Sequence, residues 1–266
     1  MTDKLIIFDY SGTLSLEAAA FSRPDSLMQH LQKSGLFELA VNNTALFWEI
    51  INSTWRQGST TQLGYKTVVQ ERIAELFPEI AIIKQTEISR AVTKFLCAYL
   101  DHFQIDECWQ KILQKLSADK SVKVIIATDH YAEATETIIQ NLEKWDIQAT
   151  ALASNIKSNF IVANSADIGV HKAESKFWET LKTLCGIKAN RILLIDDFGA
   201  NEQSADAYSQ KKEIFQRRQK TISLLESVFS AQVQCFIFAA INVLVADLIL
   251  QASKKILQFL SDKNNL

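Results

Sequence analysis

Acidic, hydroxyl and basic side chains directly follow several short apolar runs of this sequence. The groups that directly follow are Asp9-Tyr10-Ser11-Gly12-Thr13, Thr128-Asp129-His130 and Asp196-Asp197, and a further run leads through Asp167-Ile168-Gly169-Val170 to His171-Lys172. In one crevice, a carboxylate or hydroxyl could attack an electrophilic centre. An ammonium could neutralise the negative charge that develops there. Because neighbouring carboxylates repel and raise one another's pKa, a hard divalent cation such as Mg²⁺ would complete this set of oxygen ligands.

The apolar runs before these groups are predicted to be strands of one parallel sheet. Five runs are apolar almost throughout, as strands covered on both faces are: Leu5 to Phe8, Val122 to Ala127, Phe160 to Ala163, Ile192 to Ile195 and Val233 to Phe238. Helical patterns separate the later four, which favours a doubly wound, Rossmann-like α/β fold with a five-stranded sheet. The carboxyl ends of parallel strands share one edge, so the polar groups should converge there.

Roughly a hundred residues without a strand-like run separate the first two strands, far more than one crossover helix needs. Their apolar stripes predict a helical cap at residues 16–105, inserted into a core of residues 1–15 and 106–266. The cap should lie over the strand ends, where we predict substrate contacts at Arg56, Tyr65 and Lys66, and Trp55 could face the crevice as well. A further helix is predicted from Gln203 to Phe229.

Composition narrows the class of partner. The chain has 266 residues, a formal charge of -2 and a pI near 6.1, so it has no basic surplus for nucleic acid. The apolar segment from Cys235 to Leu250 is too short for a membrane span and contains Asn242 and Asp247. A start without a secretory signal and four widely spaced cysteines predict a cytoplasmic protein. Nothing in the sequence indicates an oligomeric state.

With this arrangement the chain resembles the haloacid dehalogenase (HAD) superfamily, in the subclass with a C1-type helical cap after the first strand. The motif Asp9-x-Ser11-Gly12-Thr13-Leu14 carries the resemblance, together with Thr128, Lys172 and Asp196-Asp197. It implies that Asp9 is a nucleophile and metal ligand, that Thr128 holds the transferring group, and that Lys172 neutralises charge. Lys176, one helical turn later, is the competing lysine.

The resemblance also implies a Mg²⁺ site and contacts to the substrate. The implied ligands are Asp9, the Ser11 carbonyl and Asp197, with Asp196 as the alternative carboxylate and Glu202 acting through water. Ser11, Gly12, Thr13 and Asp129 are the predicted substrate contacts in the core. The expected activity is a Mg²⁺-dependent phosphohydrolase that forms an aspartyl-phosphate and acts on a small phosphorylated metabolite.

Ser11 departs from the family pattern, in which most phosphatases have a second Asp that protonates the leaving group. Losing such acid-base help costs on the order of 10²–10⁴-fold in rate, so slow hydrolysis is expected unless the loss is offset. His130 could supply the proton, the leaving group could need none, or turnover could stall.

Three other kinds of protein are alternatives because Ser11 replaces the usual Asp. A phosphonatase-like enzyme would need a cap lysine, for which Lys33, Lys66, Lys84 and Lys94 are present. The Asp196-Asp197 pair argues against a metal-free 2-haloacid dehalogenase. A catalytically impaired binding or regulatory protein is the third alternative.

Overall fold

The computed structural model describes residues 4–152, 158–202 and 211–262. Its strands are β1 (Lys4–Phe8), β2 (Val122–Thr128), β3 (Ala149–Ala151), β4 (Phe160–Asn164), β5 (Arg191–Asp196) and β6 (Gln232–Ile237). The described residues form one parallel sheet in the order β3-β4-β2-β1-β5-β6. The predicted doubly wound α/β fold is confirmed.

The predicted number of five strands is wrong, because the short edge strand β3 adds a sixth. It pairs in parallel with β4, with Ala149 beside Phe160. Its sequence, Ala-Thr-Ala, contains no run of large apolar residues, so periodicity gives no signal for it. The strands β2 and β5 also end one residue later than predicted, at Thr128 and Asp196.

Helices occupy the connections between the strands. Within residues 4–152, seven helices lie between β1 and β2, of which the first six are α1 (Leu16–Phe21), α2 (Pro24–Ser34), α3 (Leu36–Leu39), α4 (Thr44–Ser59), α5 (Gly64–Leu76) and α6 (Pro78–Asp101). A 3-10 turn (Glu107–Trp109) and α7 (Gln110–Ala118) then lead into β2. The later helices are α8 (Glu133–Glu143), α9 (Ser165–Ile168), α10 (Ser175–Cys185), α11 (Lys211–Phe229) and α12 (Val245–Ser261).

The helix predicted from Gln203 is described from Lys211 onward, and residues 203–210 lie outside the described part of the chain. Across residues 4–152, 158–202 and 211–262, no helix has the length and apolarity that a membrane crossing requires.

The sheet packs its alternating side chains into two cores, one on each face. Ile6 and Phe8 of β1 pack with apolar residues of α7, α8 and α12. Leu5 and Ile7, which point to the opposite face, pack with residues of α10 and α11. All four side chains are fully buried, which explains why β1 is apolar up to Asp9.

A third apolar core lies in helices α1 to α6, which we call the cap. Leu31 of α2, Ile50 of α4 and Val92 of α6 are among its fully or almost fully buried members. The two connections to the sheet domain run side by side, because the Asp106 N–H donates to the Leu14 carbonyl at 3.0 Å. The cap is thereby held next to the carboxyl end of β1.

Candidate active site

The carboxyl ends of β1 and β5 bring three carboxylates to one point. The ligand oxygens of Asp9, Asp196 and Asp197 lie within 4.8 Å of one another, and all three residues are buried. Lys172, from the loop between α9 and α10, donates a hydrogen bond to Asp9 Oδ1, and its Nζ lies 3.5 Å from Asp196 Oδ2. The predicted convergence of strand ends therefore exists around a single ammonium.

The charges in this cluster do not balance. Burial raises the pKa of Asp9 to about 7, against the opposing effect of Lys172 and with a further increase from Asp196. Burial also raises the pKa of Asp197 well above its usual range, as do the charges of Asp9 and Glu202. Burial alone would lower the pKa of Lys172, but the surrounding carboxylates raise it well above normal. The ammonium of Lys172 contacts Asp9 and Asp196, whereas the Asp197 carboxylate accepts from backbone N–H groups.

This donor set fits Mg²⁺. Every candidate ligand atom in the cluster is an oxygen, and hard divalent cations take oxygen ligands. A bound divalent cation would also lower the repulsion among these three carboxylates. The residues suit the predicted ion in both respects.

Backbone amides orient the two carboxylates at the end of β5. Asp196 Oδ1 accepts from the Phe198 N–H at 2.6 Å, while its Oδ2 faces Lys172. Asp197 accepts from the Gly199 N–H at 3.0 Å and from the Asn201 N–H at 2.8 Å. The tight loop after β5 therefore fixes both side chains before any ligand arrives.

The loop after β1 is tied to the same structure. The Asp197 N–H donates to Thr13 Oγ1 at 3.1 Å, and the Asn201 amide donates to the Gly12 carbonyl at 2.6 Å. Gly12 and Thr13, predicted to contact substrate, do not line the cavity, whereas Ser11 does. Gly12 and Thr13 hold the loop in place, and Asn201, a residue to which sequence reasoning gave no role, fastens it.

Gly12 cannot accept a side chain at this position. Its φ is +76°, and an added Cβ would lie 2.5 Å from Asp197 Oδ2. We expect Gly12→Ala to destabilise the fold by about 1–3 kcal/mol and to weaken Mg²⁺ binding, because Asp197 must move. Denaturant unfolding and titration calorimetry with Mg²⁺ measure the two effects.

Gly35→Ala is the matched control for this variant. Gly35 has a φ of +88° with nothing within 4 Å of an added Cβ, so it carries the backbone strain without the clash. Equal Mg²⁺ affinity of the two variants would contradict the position assigned to Asp197.

The two candidate lysines lie in different surroundings. Lys172 reaches Asp9, while Lys176 is exposed on α10. Asp129 Oδ1 accepts from the Lys172 N–H at 2.8 Å, and the Trp178 indole donates to the Lys172 carbonyl at 2.8 Å. These two hydrogen bonds position the backbone of Lys172. Thr128 and Asp129 line the same cavity as Asp9.

His130 lies in the cavity wall but is held as a neutral ring. Its Nδ1 accepts from the Tyr131 N–H at 2.9 Å, and its Nε2 lies 2.8 Å from the Tyr99 hydroxyl. Burial lowers the pKa of His130 to about 3. The protonated imidazole that a proton-donating His130 would provide is therefore absent at neutral pH, which argues against that predicted role.

The buried neutral His130 predicts a pH dependence of stability. An unfolded chain takes up a proton below the usual His pKa of 6.5, whereas the native ring does so only near 3. The free energy of unfolding should therefore fall, relative to a His130→Gln variant, by on the order of 1 kcal/mol per pH unit between about pH 6 and pH 4. Denaturant unfolding of both proteins across this range is the measurement. A pH-independent difference between them would contradict a neutral His130.

A cavity of about 300 Å³ lies between the cap and the strand ends. Of the three substrate contacts predicted in the cap, Tyr65 lines it, while Arg56 and Lys66 are exposed and lie outside it. Trp55, which could face the crevice on the sequence alone, lines the cavity as well. Of the three predicted contacts, the aromatic residue Tyr65 therefore lies at the cavity, and the charged residues Arg56 and Lys66 lie in solvent.

Several cavity residues were missed by sequence reasoning. They are Phe47, Trp48 and Ile51 of α4, Phe95 and Tyr99 of α6, and Arg217 and Lys220 of α11. Trp48, Ile51 and Trp55 recur at helical spacing along α4 and form a stripe beside the one that packs in the cap core. This second stripe was the sequence signal for a helix face that lines a cavity. Arg217 and Lys220 look like residues of a solvated helix face and gave no signal.

Comparison with known proteins gives matches among solved structures alone. No family model and no curated protein matches the sequence. A 2-haloacid dehalogenase from Pseudomonas syringae pv. Tomato DC3000 matches with a TM-score of 0.50 and 15% identity, over 81% of this chain and 99% of that chain.

Two further structures match less well. A predicted HAD-like family hydrolase from Porphyromonas gingivalis has a TM-score of 0.49 and 12% identity, over 99% of this chain and 100% of that chain. A beta-phosphoglucomutase from Clostridium difficile has a TM-score of 0.40 and 12% identity, over 86% and 98%. Identities this low concern the fold and not the activity. The chain has the fold of the haloacid dehalogenase superfamily, the family that its motifs resemble.

Proposed function

We propose that this protein is a Mg²⁺-dependent phosphohydrolase that forms an aspartyl-phosphate on Asp9. The observation that carries the proposal is the buried group of Asp9, Asp196 and Asp197 around one ammonium, next to a cavity that is open to Thr128. Such a site offers a nucleophilic carboxylate and a demand for positive charge at the same point. A phosphoryl group and a divalent cation together suit both features.

In the first step, an oxygen of Asp9 forms a bond to phosphorus and the bond from phosphorus to the leaving oxygen breaks. Oδ1 of Asp9 is fixed by Lys172, so Oδ2 is the oxygen left for attack. In this proposal Lys172 also neutralises charge on the phosphoryl oxygens, and Thr128, which lines the cavity, holds them through its hydroxyl. Water then attacks phosphorus and releases phosphate and the free Asp9 carboxylate.

The residues that would hold Mg²⁺ are Asp9, the Ser11 carbonyl and Asp197, with Asp196 as the alternative carboxylate and Glu202 through water. When bound, the ion supplies positive charge for the phosphoryl oxygens. The protein's own part is to fix the ligands, and the amides of Phe198, Gly199 and Asn201 do so for Asp196 and Asp197.

Two alternatives lose support from the geometry. Lys33, Lys66, Lys84 and Lys94, the cap lysines considered for a phosphonatase-like enzyme, are all exposed and none lines the cavity. A 2-haloacid dehalogenase, the activity named for the Pseudomonas syringae structure, would have to bind a fourth carboxylate, that of its substrate, beside the three buried ones. The acidic cluster disfavours such an anionic ligand without a metal.

Release of inorganic phosphate from a broad panel of phosphate esters tests the proposal. We expect release with Mg²⁺ and none with EDTA, together with no chloride release from 2-chloropropionate. Chloride release that EDTA leaves unchanged would replace the phosphohydrolase with a dehalogenase. Binding of a phosphate ester without any release would instead support an impaired binding protein.

Ser11 should limit the hydrolysis of poor leaving groups. Its hydroxyl donates to Glu202 Oε1 at 3.2 Å, so it is directed to a carboxylate and is no substitute for an acid. We expect Ser11→Asp to raise the rate on alkyl phosphates about tenfold or more, since acid catalysis is worth on the order of 10²–10⁴-fold. Initial rates on an alkyl phosphate measure this, with Ser11→Ala as the control that removes the hydroxyl without adding an acid. An equal rate for Ser11→Asp and the wild type would mean that another group supplies the proton.

A further inference from the structure

The cap contributes an uncharged, aromatic wall to the cavity. Trp48, Ile51 and Trp55 line it along one stripe of α4, and Phe95 and Tyr99 line it from α6. None of the described cap residues that line the cavity is charged. The charged lining residues all belong to the sheet domain, where the phosphoryl group is proposed to bind.

The rings of this wall are held in fixed positions. Trp55 stands edge-on to Tyr131, with ring centroids 5.3 Å apart, and stacks at 17° to His171. His171 Nε2 lies 2.7 Å from the Ser59 hydroxyl at the end of α4, which fastens the helix to the sheet domain. Fixed aromatic faces favour a flat, apolar ligand over a flexible sugar or a charged side chain.

Tyr65 is one of the polar cap residues that line the cavity, with Ser22, Asn52 and Tyr99. The residue is 3% exposed, and its hydroxyl has no hydrogen-bond partner among the described residues. The ring is immobilised against Phe95 and Tyr131, and the Tyr65 N–H donates to Glu133 at 2.9 Å. Burial raises the pKa of Tyr65 well above its usual value, so the hydroxyl stays a donor. A buried donor without a partner costs free energy that a ligand acceptor would recover.

The size of the cavity allows a ring next to the phosphoryl group. A cavity of about 150 Å³ can hold benzene. The cavity here measures about 300 Å³ and reaches from Asp9 to Tyr65. One substituted ring and a phosphoryl group are therefore compatible with its volume.

The serine at position 11 also favours an aromatic alcohol as the leaving group. An aliphatic leaving group departs as an alkoxide about as basic as hydroxide, so it needs an acid to protonate it. A phenol has a pKa of about 10, so a phenolate leaves with much less need for a proton donor. A site without the second acid is matched to an aromatic alcohol.

We propose that the cap cavity binds the aromatic leaving group of an aryl phosphate, an uncharged ring with an oxygen acceptor for the Tyr65 hydroxyl. The inference rests on the phosphohydrolase function proposed above. Asp9 forms the bond to phosphorus, the bond from phosphorus to the aryl oxygen breaks, and the phenolate leaves with the electron pair and takes a proton from water. A second water cleaves the aspartyl-phosphate to inorganic phosphate.

The leaving group is tested with phenyl phosphate and cyclohexyl phosphate, which are similar in size. We expect kcat/KM to be at least about a hundredfold higher for the phenyl ester, the order of the acid catalysis that Ser11 lacks. In Ser11→Asp this ratio should fall, because only the cyclohexyl ester gains. Equal kcat/KM for the two esters in the wild type would overturn the proposal.

The Tyr65 contact is tested with 4-methoxyphenyl and 4-ethylphenyl phosphate, whose phenols have similar pKa values and similar size. Tyr65→Phe should raise KM for the methoxy ester roughly fivefold, the worth of one neutral hydrogen bond, and leave KM for the ethyl ester and both kcat values unchanged. Its thermal stability should be unchanged or higher, because an unpaired buried hydroxyl is removed. Equal changes for both esters would mean that Tyr65 only packs.

Calorimetric binding of 4-methoxyphenol separates this inference from the proposed function. Phenol binding that Tyr65→Phe weakens, in a protein that hydrolyses no ester, would retain the aromatic site and refute the phosphohydrolase. Ester hydrolysis without phenol binding would do the reverse. Binding and hydrolysis together are the result we expect.

Discussion

Asp9→Asn is expected to abolish phosphate release while leaving the fold at least as stable as that of the wild type. The amide keeps the shape of the side chain but cannot attack phosphorus, so the rate should fall by at least about 10⁴-fold. In the absence of Mg²⁺, removing one of three buried carboxylates around Lys172 lowers the repulsion in the cluster. Phosphate release and thermal unfolding without metal are the two measurements.

The pairing of these two results separates chemistry from folding. A loss of activity with a lower melting temperature would point to a structural part for Asp9. Residual release near the wild-type rate would assign the nucleophile to another residue.

Lys172→Met is expected to have the largest effect on stability. It leaves Asp9, Asp196 and Asp197 buried without the ammonium that contacts Asp9 and faces Asp196. Removing one partner of a buried ion pair typically costs about 3–5 kcal/mol, and phosphate release should be lost as well. Denaturant unfolding in EDTA gives the free-energy change.

Lys176→Met is the matched control, since Lys176 is exposed on α10, one helical turn away. It should unfold like the wild type and retain activity. The double variant Asp9→Asn/Lys172→Met should recover part of the stability lost in Lys172→Met, because fewer buried charges remain unpaired. Additive effects of the two changes would contradict direct contact between these side chains.

The sheet and its polar ends could be predicted because each follows from local pattern. A strand such as β1 is apolar on both faces, and parallel topology then places Asp9 beside Asp196 whatever their separation in sequence. The edge strand β3 has no such pattern, since its three residues contain two alanines. Pairing with β4, a tertiary contact, makes it a strand.

The cavity wall of the cap could be predicted only at Trp55 and Tyr65, because docking of the cap on the sheet domain decides which helix face turns inward. Ser59 contacts His171, and the Gln62 amide donates to Asp167 at 2.8 Å, both far apart in sequence. These contacts turn Trp55 toward the cavity and leave Arg56 exposed. The helical period alone does not distinguish the two outcomes.

The most direct test of the whole account is a crystal structure with Mg²⁺ and fluoroberyllate, a mimic of a phosphoryl group on a carboxylate. We expect beryllium on Asp9, with Lys172 and Thr128 in contact with the fluorides and Mg²⁺ between Asp9 and the Asp196-Asp197 pair. Fluoroberyllate bound elsewhere, or Mg²⁺ away from these carboxylates, would contradict covalent phosphoryl transfer through Asp9.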